Sequence, residues 1–497
     1  MGCIFGCNSE QAKLAELEDE FSEFLDDTSA YVIEETASEE TVEETEPEFV
    51  LPEKLYVRSA TNLYINPGDI KLGAFVDKGT ELKVLGYDTK DADNNVRMYE
   101  VSTGANVGFI RSWYVTEKEE DVEDNSYYHE LHLARGDSYH GGNAGDLDYF
   151  EREKFYDSKT ALPDNCRTMY LSGFEQVIGN YEKYLELAKN SGVNAFVVDI
   201  SDNVVIAYPS DVMKEYSPTG YSQAINTKEQ YAACIKAIKD AGYYVIGRIT
   251  TFHDDYLCKD NHEWAIADEN GDRKIVAGGY WPTAFVRDVW EYKLKVVEEA
   301  VDWFGFDEIQ FDYVRFPDST RSYEVEGTID FRNAYGESKA QAIQRFLMYV
   351  TDNLHEKGVV VSADVFGETS NTYVAAYGQY WPAISNVVDI ISAMPYCDHY
   401  ASSGDWHPWE HPYETVTTFA EGAMTRQKEC PSPARDRTWI QCYDSIKPPK
   451  VLYGTENVGL EIQALYDAGM TGGFMTWHGA SKLEKYENVM PIFDKKP

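Results

Sequence analysis

From Cys166 to the carboxyl end, apolar strand-like runs alternate with helical patterns, and this alternation limits the fold more than any other feature. The runs fall at 168–171, 195–200, 244–249, 308–311, 359–365, 388–393, 438–442 and 473–477. Between them lie apolar steps of helical period. Tyr231, Cys234, Ile235 and Ile238 follow a capping Asn226-Thr227, and Ile343, Phe346, Leu347, Val350 and Leu354 repeat the step. Gly242, Gly305, Gly358 and Gly469 each stand where a helix should stop before the next strand. Eight βα units in about 330 residues are the count of a (β/α)8 TIM barrel. A doubly wound open sheet is the competitor, but no GxGxxG follows any of these strands. The expected fold is therefore a TIM barrel over 166–497.

The 497 residues leave room for more than a barrel. Over 54–117 the pattern changes to short alternating runs at 55–57, 63–65, 81–85 and 98–101, with turns at 66–69, 77–79 and 94–95. About five short strands in that span predict a small all-β barrel. Residues 118–165 read as a polar connector, and His129, His132 and His140 within it read as solvated histidines because no fixed spacing groups them. The first fifty positions hold 16 Asp/Glu and one lysine, so 1–53 reads as an acidic, disordered tether.

The net charge of −42 repels phosphate backbones and anionic lipid surfaces, which argues against nucleic acid as a partner. Aromatic residues make up 14%, a composition suited to stacking against sugar rings, and 43% hydrophobic residues suffice for a large core. No run of 18 apolar residues occurs. The eight cysteines form no CxxC pair, so a structural zinc site is not expected.

Several segments resemble known families. The motif FDEIQFDYVRFPD (306–318) resembles the signature of a bacterial family of glycosyl hydrolase domains, barrels related to the α-amylase-like glycosidases. NAFVVDISDN (194–203), GRITTFHDD (247–255), HEWAIADENGD (262–272) and VWEYKLKVVEEA (289–300) follow that family's pattern in order, with Ser201 where members usually carry lysine. The resemblance covers about 166–497 and implies a glycosidase without cofactor or metal, expected as a monomer. NLYINPGD, VDKGTELKVLG and MYEVSTGANVGFIRSWYV resemble a bacterial SH3-like domain, which implies contact with cell-wall material or, equally, a passive spacer. Ile4-Phe5-Gly6-Cys7 resembles a lipoprotein lipobox with Cys7 as the lipidated residue, although the apolar stretch that should precede it is missing. Either the true start lies upstream or the tetrad is fortuitous; the first reading implies a cell-surface, membrane-anchored protein.

In a barrel, function belongs at the carboxyl ends of the strands. Those ends carry Asp199, Arg248, Asp312 with Tyr313 and Arg315, Asp364 with Glu368, Tyr396 with Asp398, Gln441 with Tyr443, and Trp477-His478. A hydrophobic core gives no reason to place charge at so many tips. Cleaving a glycosidic bond needs two carboxyl groups flanking the anomeric carbon. By analogy with the amylase-like barrels, Asp312 would be the nucleophile and Asp364 the acid, with Glu368 as the alternative acid. Arg315 or Arg248 would keep Asp312 ionised. Gln310 shares a strand face with Asp312 and should point into the mouth, while Trp477, Tyr396 and Tyr443 would wall the sugar. Asp199, Asp398, Gln441 and His478 complete the expected substrate contacts. Asp312 and Asp364 on adjacent strands start close, so a retaining mechanism is expected with Asp364 as the acid, whereas Glu368, reaching from the following loop, would open the gap towards the inverting range. The alternatives are a catalytically inactive glycan- or wall-binding protein, and a metal-dependent deacetylase, which would want an HxH strand that is absent.

Overall fold

Eight parallel strands close on one another in the order the alternation predicts. The computed structural model describes residues 49–135, 137–138, 141–155 and 160–497, so the acidic segment through residue 48, with Cys7, and His140 lie outside the described residues. Seven short antiparallel strands come first: β1 (Lys54–Val57), β2 (Thr61–Tyr64), β3 (Leu72–Val76), β4 (Glu81–Tyr87), β5 (Met98–Ser102), β6 (Val107–Arg111) and β7 (Val115–Thr116). They form one sheet in the order β3-β2-β6-β5-β4-β1-β7. The sequence pattern misses β3, β6 and β7, whose Gly-rich or two-residue stretches show little alternation.

The barrel strands are β8 (Cys166–Leu171), β9 (Ala195–Asp202), β10 (Tyr244–Thr250), β11 (Glu308–Asp312), β12 (Val360–Phe366) and β13 (Ile390–Met394). The seventh strand comes in two pieces, β14 (Arg435–Asp436) and β15 (Thr438–Gln441), and β16 (Gly473–Trp477) is the last. β14 pairs with β13, β15 pairs with β16, and β16 pairs with β8, which closes the ring. At Gly473 the backbone adopts φ +121°, and a Cβ there would meet the Cys166 carbonyl at 2.1 Å. That close approach is what glycine permits. The four glycines expected to end helices all have positive φ.

The barrel interior is layered by strand alternation. Glu308, Gln310 and Asp312 of β11 all face inward, at the bottom, middle and top. At the bottom Glu308 is fully buried and accepts from Arg437 Nη1 at 3.0 Å. In the middle Gln310 donates to Ser392 Oγ at 3.3 Å. The expectation that Gln310 faces the mouth is corrected here: it shares the face of Asp312 but lies one layer below.

Two long helices, α1 (Arg287–Phe304) and α2 (Lys339–Glu356), carry the β module on their outer faces. Arg111 donates to Asn353 Oδ1 at 3.1 Å and also pairs with Glu356, and Trp113 Nε1 donates to Asp352 at 3.2 Å. Glu291 accepts from Leu72 N at 2.8 Å, and Arg287 donates to Asn62 at 2.8 Å. One apolar cluster runs from the module core into the barrel helices. The connector is more than a polar linker. His132 is fully buried, bonded to Tyr380 OH at 2.8 Å and to the Glu429 carbonyl at 2.7 Å, which corrects its reading as solvated. Residues 51–497 accordingly form one compact unit.

Candidate active site

A cavity of about 830 Å³ opens at the carboxyl ends of the strands. Its charged wall begins with Arg248, which β10 delivers to the centre of the mouth. Nη2 and Nε donate to Asp312 Oδ2 at 2.6 and 3.1 Å, and Nη1 donates to Asp199 Oδ1 at 2.6 Å. Asp202 stands 3.6 Å from Nη2 and Asp364 4.0 Å from Nε. Arg248, not Arg315, is therefore the cation that pairs with Asp312. Asp312 Oδ1 also accepts the Tyr313 backbone N–H at 2.6 Å. Tyr313 sits at φ +50°, a left-handed conformation that costs an aromatic residue energy and is held by backbone bonds to the segment after β10.

The two expected acids occupy different places. Asp364 is fully buried and is not on the cavity wall. Trp439 Nε1 donates to its Oδ1 at 2.9 Å, and its Oδ2 has no hydrogen-bond partner among the described residues. Burial and the neighbouring Asp312 charge push its pKa well above the usual carboxylate range, against the pull of Arg248. Glu368 lies on a short turn, Gly367–Ser370, directly after β12, and it does line the cavity. Tyr373 OH and Tyr377 OH donate to its two carboxylate oxygens, each at 2.9 Å.

Of the other expected residues, Arg315, Tyr396 and Trp477 line the cavity. The Tyr396 and Trp477 rings stack at 6.4 Å and 22°, and Arg248 lies over Trp477 at 5.1 Å. Asp199 is sealed below, accepting from Tyr170 OH at 2.5 Å; burial raises its pKa to about 6 although Arg248 draws it down. Asp398 and Gln441 are fully buried, and Tyr443 OH donates to Asp398 Oδ1 at 2.8 Å, so these three brace the wall from behind. His478 accepts from Ala480 N at 3.3 Å within its own loop.

Strand alternation misses Asp202. After Asp199 it puts Ser201 inward and Asp202 outward. A register shift between Asp199 and Ser201 reverses this and brings Asp202 to the cavity. Trp439 and the tyrosines that hold Glu368 carried no motif; only the fold brings them in. Among the described residues, no group of three or more His, Cys, Asp or Glu side chains is arranged to hold a metal ion.

A model of the family described as "Putative glycosyl hydrolase domain" matches residues 168–483. No curated protein matches the chain. Among solved structures, a hypothetical protein from Ruminiclostridium thermocellum is 31% identical, covering 40% of this chain and 97% of its own, with a TM-score of 0.33. The PgaB (BpsB) glycoside hydrolase domain from Bordetella bronchiseptica is 14% identical, over 66% of this chain and 99% of its own, with a TM-score of 0.44. An exo β-N-acetylglucosaminidase from Vibrio harveyi, solved with N-acetylglucosamine, is 11% identical over 67% of this chain and 54% of its own, at a TM-score of 0.42.

Proposed function

The chain belongs to the family of glycosyl hydrolase domains, and from that premise we propose that it cleaves a poly- or oligosaccharide with Asp312 as nucleophile and Glu368 as acid/base. The observation that carries the reading is that these two carboxylates share the wall of one cavity, beside the stacked Tyr396 and Trp477 rings. The acid role moves from Asp364 to Glu368 because a proton donor must reach the leaving oxygen, and Asp364 lies off the cavity wall.

The mechanism we propose is retaining. Both oxygens of Asp312 already accept N–H bonds, from Tyr313 and Arg248, which orients the carboxylate for direct attack rather than for drawing a proton from water. Glu368 would protonate the leaving oxygen and then deprotonate the water that releases the glycosyl-Asp312 ester. Proton NMR of the first-formed product, read before mutarotation, tests this. The substrate's own anomeric configuration is expected, and the inverted anomer overturns double displacement. Asp312→Asn is expected to abolish hydrolysis while keeping glycan binding, and near-wild-type turnover in that variant overturns the assignment.

We place the protein at the outer face of a cell membrane, anchored through Cys7, with an SH3-like module at 54–117. The IFGC tetrad and the acidic run behind it support the anchor, and the seven-stranded antiparallel sheet supports the module. In a bacterial host, radiolabelled palmitate is expected on the chain and absent from Cys7→Ser. An unlabelled chain overturns the anchor.

A further inference from the structure

Arg315 comes three residues after β11 and lines the cavity, yet its side chain is only 8% exposed. Four rings surround its guanidinium: Phe366 at 4.5 Å, Trp281 at 4.9 Å, Tyr313 at 5.1 Å and Tyr377 at 5.9 Å. Arg248 and Arg437, both more deeply buried, are each matched to a buried carboxylate, Asp199 and Glu308. Arg315 is not. Its ion partner is Asp318, at 3.4 Å and 54% exposed. Nη1 donates to the Phe316 carbonyl at 3.0 Å and to Asp318. Nε and Nη2, the two nitrogens of one edge of the plane, find no acceptor among the described residues, and neither is sealed inside the protein.

A guanidinium edge left free on a cavity wall, stiffened by rings on several sides, fits the two parallel bonds of a carboxylate. We infer that the glycan carries a carboxylate, as a uronic acid or a lactyl ether does, on the sugar seated against Arg315. This rests on the glycosidase reading and adds the substrate class to it. Asp202, Asp312 and Glu368 make the rest of the wall acidic and disfavour further anions. The carboxylate should therefore recur among neutral sugars rather than on every residue, which points to an acidic heteropolymer.

The test uses full-length Asp312→Asn protein on immobilised glycans: carboxylated heteropolymers, the same polymers after carboxyl reduction, and sulfated neutral polymers. Binding is expected to the carboxylated set, weakened about tenfold or more by reduction and equally by adding Arg315→Gln. Arg315→Lys, which keeps the charge but not the edge, is expected not to restore it and serves if the Gln variant fails to fold. Retention of neutral or sulfated polymers alone overturns the inference. So does retention of no carboxylated polymer, or unchanged binding in a folded Arg315 variant. Hydrolysis of a neutral glycan by the wild-type chain would overturn the carboxylate while leaving the glycosidase reading intact. A carboxylated glycan bound through Arg315 but never cleaved would do the reverse.

Discussion

Burial and the neighbouring Asp312 push the Asp364 carboxyl well above the usual range, and it lies off the cavity wall, so replacing it with the neutral isostere should cost little. Asp364→Asn keeps an oxygen for Trp439 and is expected to leave turnover within about tenfold of wild type, whereas Glu368→Gln is expected to lose about 10²–10⁴-fold. An aryl glycoside whose leaving group needs no proton should recover much of the Glu368→Gln loss, and steady-state kinetics on both substrates check the pair. Asp199 gives a pH signature. Its carboxyl titrates near 3.9 in the unfolded chain and about 6 when folded, so the folded state holds the proton more tightly between those values. Stability from this group is full below about pH 4, falls as pH rises to about 6, and is flat above. Urea midpoints across that window should lose this slope in Asp199→Asn. At this scale the sequence led to the strand tips but not to their depth. Gln310, Asp364, Asp398 and Gln441 stand at or near strand ends as read, yet packing closes over them. Depth depends on which aromatic side chains arrive from other strands, such as Trp439 and Trp477, and no local pattern records that.

Strand by strand, the barrel was legible because a buried parallel strand must be apolar for its whole length and a helix must stop before the next one starts. All eight runs became strands, with ends shifted by a residue or two. The division of the seventh strand was not legible, since it turns on Arg437 going inward to Glu308 while its neighbours change pairing partner. The β module was legible where side chains alternate and not where its edges are short. Its docking face was invisible, because partners such as Arg111 and Glu356 lie 245 residues apart. Arg111 is nearly buried among Glu356, Asn353 and Tyr64. Arg111→Ala takes the buried donor from Asn353 and Tyr64 while Glu356 keeps Arg97, and is expected to destabilise the chain by about 1–3 kcal/mol in urea unfolding. A loss under about 1 kcal/mol would show that the module rests on the barrel without being fastened to it.

Module and barrel share one apolar cluster, the connector packs on the barrel through two others, and all three should unfold together. Near-UV circular dichroism, which reports the aromatic residues of both parts, should give one transition coincident with the far-UV signal; two separated transitions would mean the parts are independent. The ring that makes this unit also sets a schedule for its synthesis. β8 finds its closing neighbour only in β16, some 300 residues later. At about 5–20 residues per second, roughly 15–60 s pass on the ribosome between the two. For that interval β8 presents an open apolar edge, while the β module is already complete but lacks the helices it will sit on. A chain that stalls before Gly473 would therefore emerge with an unpaired edge and a half-covered core. That nascent intermediate is the natural client for a holdase.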